Sequence, residues 1–337
     1  MLSHAAEAGL AAGNVPIMVC IPVFDDWDCV GRVVQQLDRV LHDLDVPVGV
    51  LLIDDGSTKS PPRQLNWQPE HLKTIDILQL RRNVGHQRAI ALGLTFLYVH
   101  HECGLVVVMD GDGEDAPRDV LTLVKRCEQN ERRNVVFAQR CKRSEGPLFR
   151  LGYVAYRALH RILTGRSVRM GNFSVVPRCC LERMVSVSEM WNHYAASVVK
   201  ARVPVDMVPI PRAKRLMGRS TMDLPSLITH GLSAISVHAD TMGARLLPSA
   251  ACLMVVAAIA LVVVVVVRLF TDLVIPGWAT SAAGMLVILI VNAVLLMTMF
   301  AFFSLQGRNM SGFVPLRDYE HYILREVRLH GRTCDER

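Results

Sequence analysis

The first fourteen residues contain neither lysine nor arginine, and their longest apolar stretch is a few alanines. A secretory signal needs a basic start and an apolar run, so none is expected, and residues 1–14 read as an N-terminal tail. Charge is sparse throughout: 20% of the 337 residues are Asp, Glu, Lys or Arg against 51% apolar, with a mean hydropathy of +0.29. That balance excludes a disordered chain and is high for a wholly soluble one, so part of the apolar mass is expected in lipid. Basic residues exceed acidic ones by only six, 37 to 31. The excess does not indicate a nucleic-acid partner, but it suits an anionic membrane surface or phosphorylated substrates. The nine cysteines form no C-x-x-C pair and no Cys/His ligand spacing, which leaves them as reduced, buried small hydrophobes.

Long hydrophobic runs, by contrast, are present. Residues 246–267 are 22 in a row without a charge and end in six valines; a second uncharged span, 273–307, has its apolar heart at 282–303. A hydrocarbon core of roughly 30 Å takes about 20 helical residues. The sequence therefore predicts transmembrane helices at 246–268 and 280–303, joined by a turn containing Pro276, Gly277 and Trp278. Arg245 precedes the first, Arg308 and Arg317 follow the second, and the connection holds only Arg268 and Asp272. Positive charge stays inside, so residues 15–222 and a tail at 304–337 are expected on the cytoplasmic side of the cell membrane. Residues 223–245 carry Leu224, Leu227, Ile228, Leu232, Ile235, Ala239 and Met242 at helical spacing. They read as an amphipathic helix lying in the interface, or equally as one packed on the preceding domain.

Residues 15–222 alternate short β-branched runs with helical stretches. Strands are predicted at 17–23, 48–53, 75–80, 105–109 and 134–138, and helices at 30–44, 87–100 and 120–129. Such alternation specifies an α/β domain with a mostly parallel sheet, in which ligands bind beyond the carboxyl ends of the strands. Those ends are rich in chemistry: Asp25 and Asp26; Asp54, Asp55, Gly56 and Ser57; Arg81 to His86; and Asp110, Gly111, Asp112, Gly113, Glu114 and Asp115. Each alone is ordinary turn composition. Four on successive strands of one sheet converge on one edge. Asp110, Asp112 and Glu114 offer hard oxygen ligands, which select Mg²⁺ or Mn²⁺ over zinc and leave positions for substrate phosphates. No bidentate Glu follows at EF-hand distance and no Walker A loop exists, so the expected occupant is a nucleoside diphosphate.

The matching stretches are Ile21 to Asp25, Ile53 to Ser57, Arg82 to Ala89, Asp110 to Pro117, Gln139 and Arg140, Gly171 to Phe173, and Arg215 to Ser220. Together they resemble the GT-A glycosyltransferases of family 2, in particular the membrane-anchored polyprenyl-phosphate glycosyltransferases similar to dolichol-phosphate mannosyltransferase. The resemblance implies a GT-A fold, with a Rossmann-like, mixed but mostly parallel sheet, followed by a two-helix transmembrane hairpin. It implies a metal-dependent, inverting transfer of a sugar from a nucleotide-sugar donor to undecaprenyl or dolichyl phosphate. It places Pro22, Phe24, Asp25, Asp54 and Asp55 around the nucleotide, Asp55 toward the base or ribose, with Arg82, Asn83, Gly85 and Ser220 also on the donor. Asp110 and Asp112 would hold the metal, with Glu114 where close relatives use Gln. Arg140 and Arg150 match arginines that receive the acceptor phosphate, and Arg215 faces the donor diphosphate. Two departures stand out: Val154 where a serine is expected, and Thr221 where a lysine is, with Lys214 or Arg219 as substitutes. A processive polysaccharide synthase shares the donor motifs, yet this chain lacks the Gln-x-x-Arg-Trp signature and further helices. An inactive scaffold is the other alternative, and homo-oligomerisation is left open.

Overall fold

The computed structural model describes residues 16–44, 46–140, 170–211, 213, 215–217, 233, 236–237, 239–271, 277–309 and 312–331. Continuous runs of Val, Ile and Leu form β1 (Ile17–Val23), β2 (Val48–Asp54), β3 (Leu72–Leu80) and β4 (Leu105–Val108), and β1, β2 and β4 are buried along their whole length. Unbroken apolarity of this kind marks strands covered on both faces. Alternate side chains serve two cores. Val19 and Ile21 meet Val33 and Leu37 of α1 (Trp27–Val40), on the face where Leu123 of α3 (Pro117–Gln129) also packs. Cys20 and Leu51 meet the opposite core, built from Ile90 and Leu94 of α2 (His86–His100) and Leu181 of α4 (Arg178–Val185).

β5 (Val135–Arg140), β6 (Ser174–Pro177), helix α5 (Tyr194–Lys200) and β7 (Val205–Ile210) complete the run to residue 210. The eight strands lie in the order β7-β5-β6-β4-β1-β2-β3-β8, where β8 is Ile323–His330. β1 is parallel to β2 and β4, β2 to β3, and β5 to β7, while β6 runs against β4 and β5, and β8 against β3. Six strands therefore point one way, and Val23, Asp54, Leu80, Val108, Arg140 and Ile210 end at the same edge of the sheet. The mixed, mostly parallel sheet of a GT-A fold is the one expected from the sequence.

The start of β3 is held by Asp38 of α1, whose buried carboxylate accepts the backbone N–H groups of Glu70 (3.0 Å), His71 (2.9 Å) and Leu72 (2.8 Å). Burial works against its charge, but the three amides outweigh it and hold the carboxyl below its usual range. Asp38→Ala should cost roughly 2 to 4 kcal/mol, since the amide of Leu72 loses its acceptor inside the protein. A carboxyl depressed in the folded state stabilises fully above its unfolded value of about 3.9 and loses that effect as pH falls through the folded value. Urea unfolding in detergent should thus show a constant deficit for Asp38→Ala from pH 5 to 8 that shrinks below about pH 4.

Two long helices follow, α6 (Ala239–Phe270) and α7 (Trp278–Asn309). Only 6% of each apolar window within Thr241–Phe270 and Trp278–Phe302 is buried, so neither is the core helix of a soluble domain. By length and composition, both can cross a membrane. They pack on each other closely enough that a Cβ on Gly243 would lie 2.5 Å from the ring of Phe300. The helices start earlier and end later than the 246–268 and 280–303 expected. Helix is already present at Ala239, inside the segment assigned to an interfacial helix, most of which lies outside the described residues.

The segment expected as a tail is corrected. After a helical turn at Pro315–Asp318, β8 adds to β3 as an antiparallel edge strand. The physical reason is Asp76, a carboxylate in the middle of β3 that is fully buried and meets Arg328 through Nε at 2.6 Å and Nη2 at 3.2 Å. A charge at that depth requires a partner, and the last strand brings it. The described residues divide into two compact units: the sheet domain, including residues 313–331, and the unit containing α6 and α7.

Candidate active site

Each strand end delivers its acidic group in a distinct way. Asp25 follows β1 in the left-handed region, φ 56°. Its carboxylate accepts the backbone N–H of Lys59 (2.9 Å) and the backbone N–H and hydroxyl of Thr58 (2.7 and 2.8 Å). Those bonds, the Lys59 amide foremost, hold its carboxyl below the ordinary range. Asp54 is buried, accepting from the Ser57 amide (2.9 Å) and from Gln79 (3.2 Å). The Ser57 hydroxyl in turn accepts the amide of Asp25 (3.0 Å), so β1 and β2 close into one turn system. Pro22 lies within β1, and Phe24 is half-exposed just beyond it.

Asp55 is committed to the next loop. Its two oxygens accept the amides of Val84 (2.7 Å) and Gly85 (2.9 Å), and burial raises its pKa. The carboxylate thereby holds the chain that carries Arg82, Asn83 and Gly85. Gly85 opens α2 at φ 92°, a region closed to most other residues. Arg82 places its guanidinium 5.8 Å from the ring centre of Tyr322.

The turn after β4 is anchored by Asp115, a buried residue whose carboxylate accepts the amide of Asp110 (3.0 Å). Asp112 accepts the amide of Glu114 (2.9 Å) and lies 3.4 Å from Arg215. The two segments are also joined through the backbone, Ala213 N–H to Glu114 O and Leu216 N–H to Asp112 O, both 3.1 Å. Arg215 is thus brought from a hundred residues away to the Asp110–Asp112 turn. His86, which the motif quoted without assigning a role, stands 3.2 Å from Asp110 and 2.9 Å from Asn172. Crowding by the protein disfavours its charged form, but Asp110 first, then Asp55 and Asp112, outweigh that and raise its pKa.

Glu114 meets Asp112 through its backbone amide. It lines a small cleft with Asp119, Phe173 and Ile210, and no group of three or more His, Cys, Asp or Glu among the described residues could hold a metal ion. Two half-buried carboxylates remain, Asp110 and Asp112. That donor set fits a Mg²⁺-type ion, which binds through one or two carboxylates and keeps its other positions for water and phosphate. Arg140 closes β5 at the same edge, placed here by its backbone alone. Arg150, Ser220 and Thr221 lie outside the described residues.

Gly113 makes the Arg215 contact testable. It has φ 80°, and a Cβ there would lie 2.4 Å from Cγ of Leu216. Gly113→Ala should therefore push the segment carrying Arg215 off the turn and lower turnover by about tenfold to a hundredfold, the range expected for a misplaced catalytic group. Gly31→Ala, whose added Cβ meets nothing within 4 Å, should leave initial rates unchanged.

Comparison with known proteins places this geometry. The uncharacterized glycosyltransferase YkcC of Bacillus subtilis is 23% identical over 276 residues, covering 79% of this chain and 82% of that protein. An undecaprenyl-phosphate 4-deoxy-4-formamido-L-arabinose transferase of Klebsiella pneumoniae is 26% identical over 228 residues, 63% of this chain and 64% of the transferase. The chain therefore spans just under two thirds of the latter. Among solved structures, glucosyl-3-phosphoglycerate synthase of Mycobacterium tuberculosis aligns with TM-score 0.47 and 16% identity over 71% of this chain and 82% of that one. The sequence profile of Glycosyl transferase family 2 matches residues 18–191, just over half of the chain, and spans β1 to β4 with each of their acidic turns. The chain belongs to glycosyl transferase family 2 and is a glycosyltransferase.

Proposed function

We propose that this glycosyltransferase moves a sugar from a nucleotide-sugar donor to the phosphate of a polyprenyl lipid, undecaprenyl or dolichyl, with inversion at the anomeric carbon. The observation that carries the reading is Arg215 beside the Asp110–Asp112 turn, at the strand-end edge of a chain with two helices apolar enough to cross a membrane. The name of the Klebsiella relative supports the acceptor class. Asp110 and Asp112 would hold Mg²⁺ or Mn²⁺, which when bound offsets the charge that builds on the departing diphosphate. Arg215 adds a fixed cation on the same side, one that needs no reorganisation as the bond breaks. A lipid monophosphate has its second pKa near ~6, so the acceptor is already an anionic nucleophile and no strong general base is required. The protein's task is to offset repulsion between two phosphates and hold them in line. Arg140, at the end of β5, is the residue assigned to the acceptor phosphate.

The same reading puts both chain ends on the cytoplasmic side. Support comes from β8: a strand that follows both apolar helices shares one sheet with β1, which precedes them. An even number of crossings is then required. A reporter fused after residue 337 should be active only in the cytoplasm, and activity on the far side would contradict this topology. The donor is tested by incubating membranes that contain the protein with a panel of radiolabelled nucleotide sugars. One label should enter a chloroform-soluble product; label entering only aqueous polymer, or no label moving at all, would support a polysaccharide synthase or an inactive scaffold instead.

A further inference from the structure

The segment that follows α7 builds, with two parts of the sheet domain, a cluster of three aromatic rings to which the donor chemistry gives no part. The rings of Trp191 and Phe313 lie 3.8 Å apart between centres, Trp191 and Tyr322 are 4.9 Å apart, and Phe313 meets Tyr322 edge-on at 5.4 Å. Two guanidinium groups rest on this trio, Arg88 at 5.0 Å from the Trp191 ring centre and Arg82 at 5.8 Å from that of Tyr322. Neither has an ion-pair partner among the described residues. The acidic side chains borne by the surrounding segments are engaged elsewhere: Glu189 with Lys200, Asp318 with Arg317, Glu320 with the Tyr319 hydroxyl and Glu326 with His101.

We propose that Arg82 and Arg88, backed by Trp191, Phe313 and Tyr322, form a binding site for a lipid phosphate, separate from the Asp110–Asp112 turn. An arginine stacked on an aromatic ring uses the face of its guanidinium and keeps its in-plane N–H groups for an oxyanion. Two such groups offset the full charge of a phosphate monoester, about −1.5 to −2, or the single charge of a phospholipid diester, and bind either with paired, charge-assisted hydrogen bonds. The surroundings favour a phosphate attached to a hydrocarbon. Phe313 follows the end of α7 by four residues, and the same segment exposes Leu316 (38%) and Leu324 (54%). Aromatic and apolar side chains beside cations are the composition of a membrane interface. The phosphate belongs either to the polyprenyl acceptor, held before it moves to Arg140 and the donor, which rests on the function proposed above, or to an anionic phospholipid of the bilayer.

The test reads binding without turnover, so it stands apart from sugar transfer. Full-length protein in neutral detergent is titrated with mixed micelles containing undecaprenyl phosphate, phosphatidylglycerol or phosphatidylcholine, and the rise in thermal unfolding temperature is followed. The wild-type protein should be stabilised by at least one of the two anionic lipids and not by phosphatidylcholine. The Arg88→Gln variant should lose most of that rise, with an apparent Kd at least tenfold weaker, while its calorimetric affinity for UDP and GDP stays within twofold. Arg88→Lys, which keeps the charge but not the planar fork, should fall between the two. Loss confined to undecaprenyl phosphate assigns the site to the acceptor, and loss confined to phosphatidylglycerol assigns it to the bilayer. An unchanged response of the Gln variant to both lipids, or nucleotide affinity that falls in step, would overturn the proposal. A protein that transfers no sugar yet binds lipid phosphate through these arginines would overturn the proposed function alone.

Discussion

Asp112→Asn should lower glycosyl transfer by about a hundredfold to a thousandfold in a protein that still folds, the size of effect seen when one preorganised electrostatic group is removed. The local geometry survives because asparagine keeps an oxygen to accept the Glu114 amide, now at 2.9 Å. What disappears is the charge that faces Arg215 at 3.4 Å and that would ligate a divalent ion beside Asp110. Metal-dependent binding of a nucleoside diphosphate, followed by calorimetry with Mn²⁺, should weaken along with turnover. Arg140→Ala should behave differently, because its proposed contact is to the acceptor. Nucleotide binding should stay close to normal while transfer falls by about one to two decades, the equivalent of one charge-assisted hydrogen bond of roughly 1.5 to 3 kcal/mol felt in the transition state. Equal loss of nucleotide binding in both variants would move Arg140 to the donor side.

The largest effect on stability is expected far from that turn. Arg328→Ala leaves the Asp76 carboxylate in the middle of β3 without its bidentate partner. Stranding a buried charge costs about 3 to 5 kcal/mol, enough to unfold a marginal domain or to release β8 from the edge. The loss comes from the orphaned charge more than from the missing bond, so Asp76→Asn/Arg328→Ala should recover a large part of it. Thermal unfolding of the four proteins in detergent measures the coupling directly. If the two single substitutions and the double one lower stability additively, the ion pair is not what fastens the strand.

These two residues also show where the sequence is readable and where it is not. The central strands are legible because burial on both faces demands unbroken apolar runs, and their acidic ends stand out against them. The family motif assigns Arg215 to the donor diphosphate, and the backbone bonds of Ala213 and Leu216 show how its segment reaches the Asp110–Asp112 turn. β8 was missed because its pairing with β3 spans some 250 residues and two apolar helices, a separation that no local pattern reports. A signal was nonetheless present. An aspartate at position 76 inside an otherwise apolar strand asks for a cation, and the alternation of Ile323, Val327 and Leu329 with Arg328 and His330 is that of a half-covered strand. Asp55 is placed toward the base or ribose by the family resemblance alone. Its geometry at the Val84 and Gly85 amides depends on the fold of the following loop, which composition does not specify. Asp115 takes no role from the motif that contains it, since a carboxylate that holds a turn and one that meets a ligand look alike in one dimension.

The central claim is most directly tested with purified protein, a single nucleotide sugar chosen from the donor panel, undecaprenyl phosphate and Mn²⁺, followed by mass spectrometry of the lipid extract and assay of the released nucleotide. The account predicts one product, the acceptor lipid bearing a single sugar on its original phosphate, formed with one nucleoside diphosphate per glycolipid and abolished by a chelator. Release of nucleoside diphosphate with free sugar and an unmodified lipid, or a product carrying a chain of sugars, would contradict it.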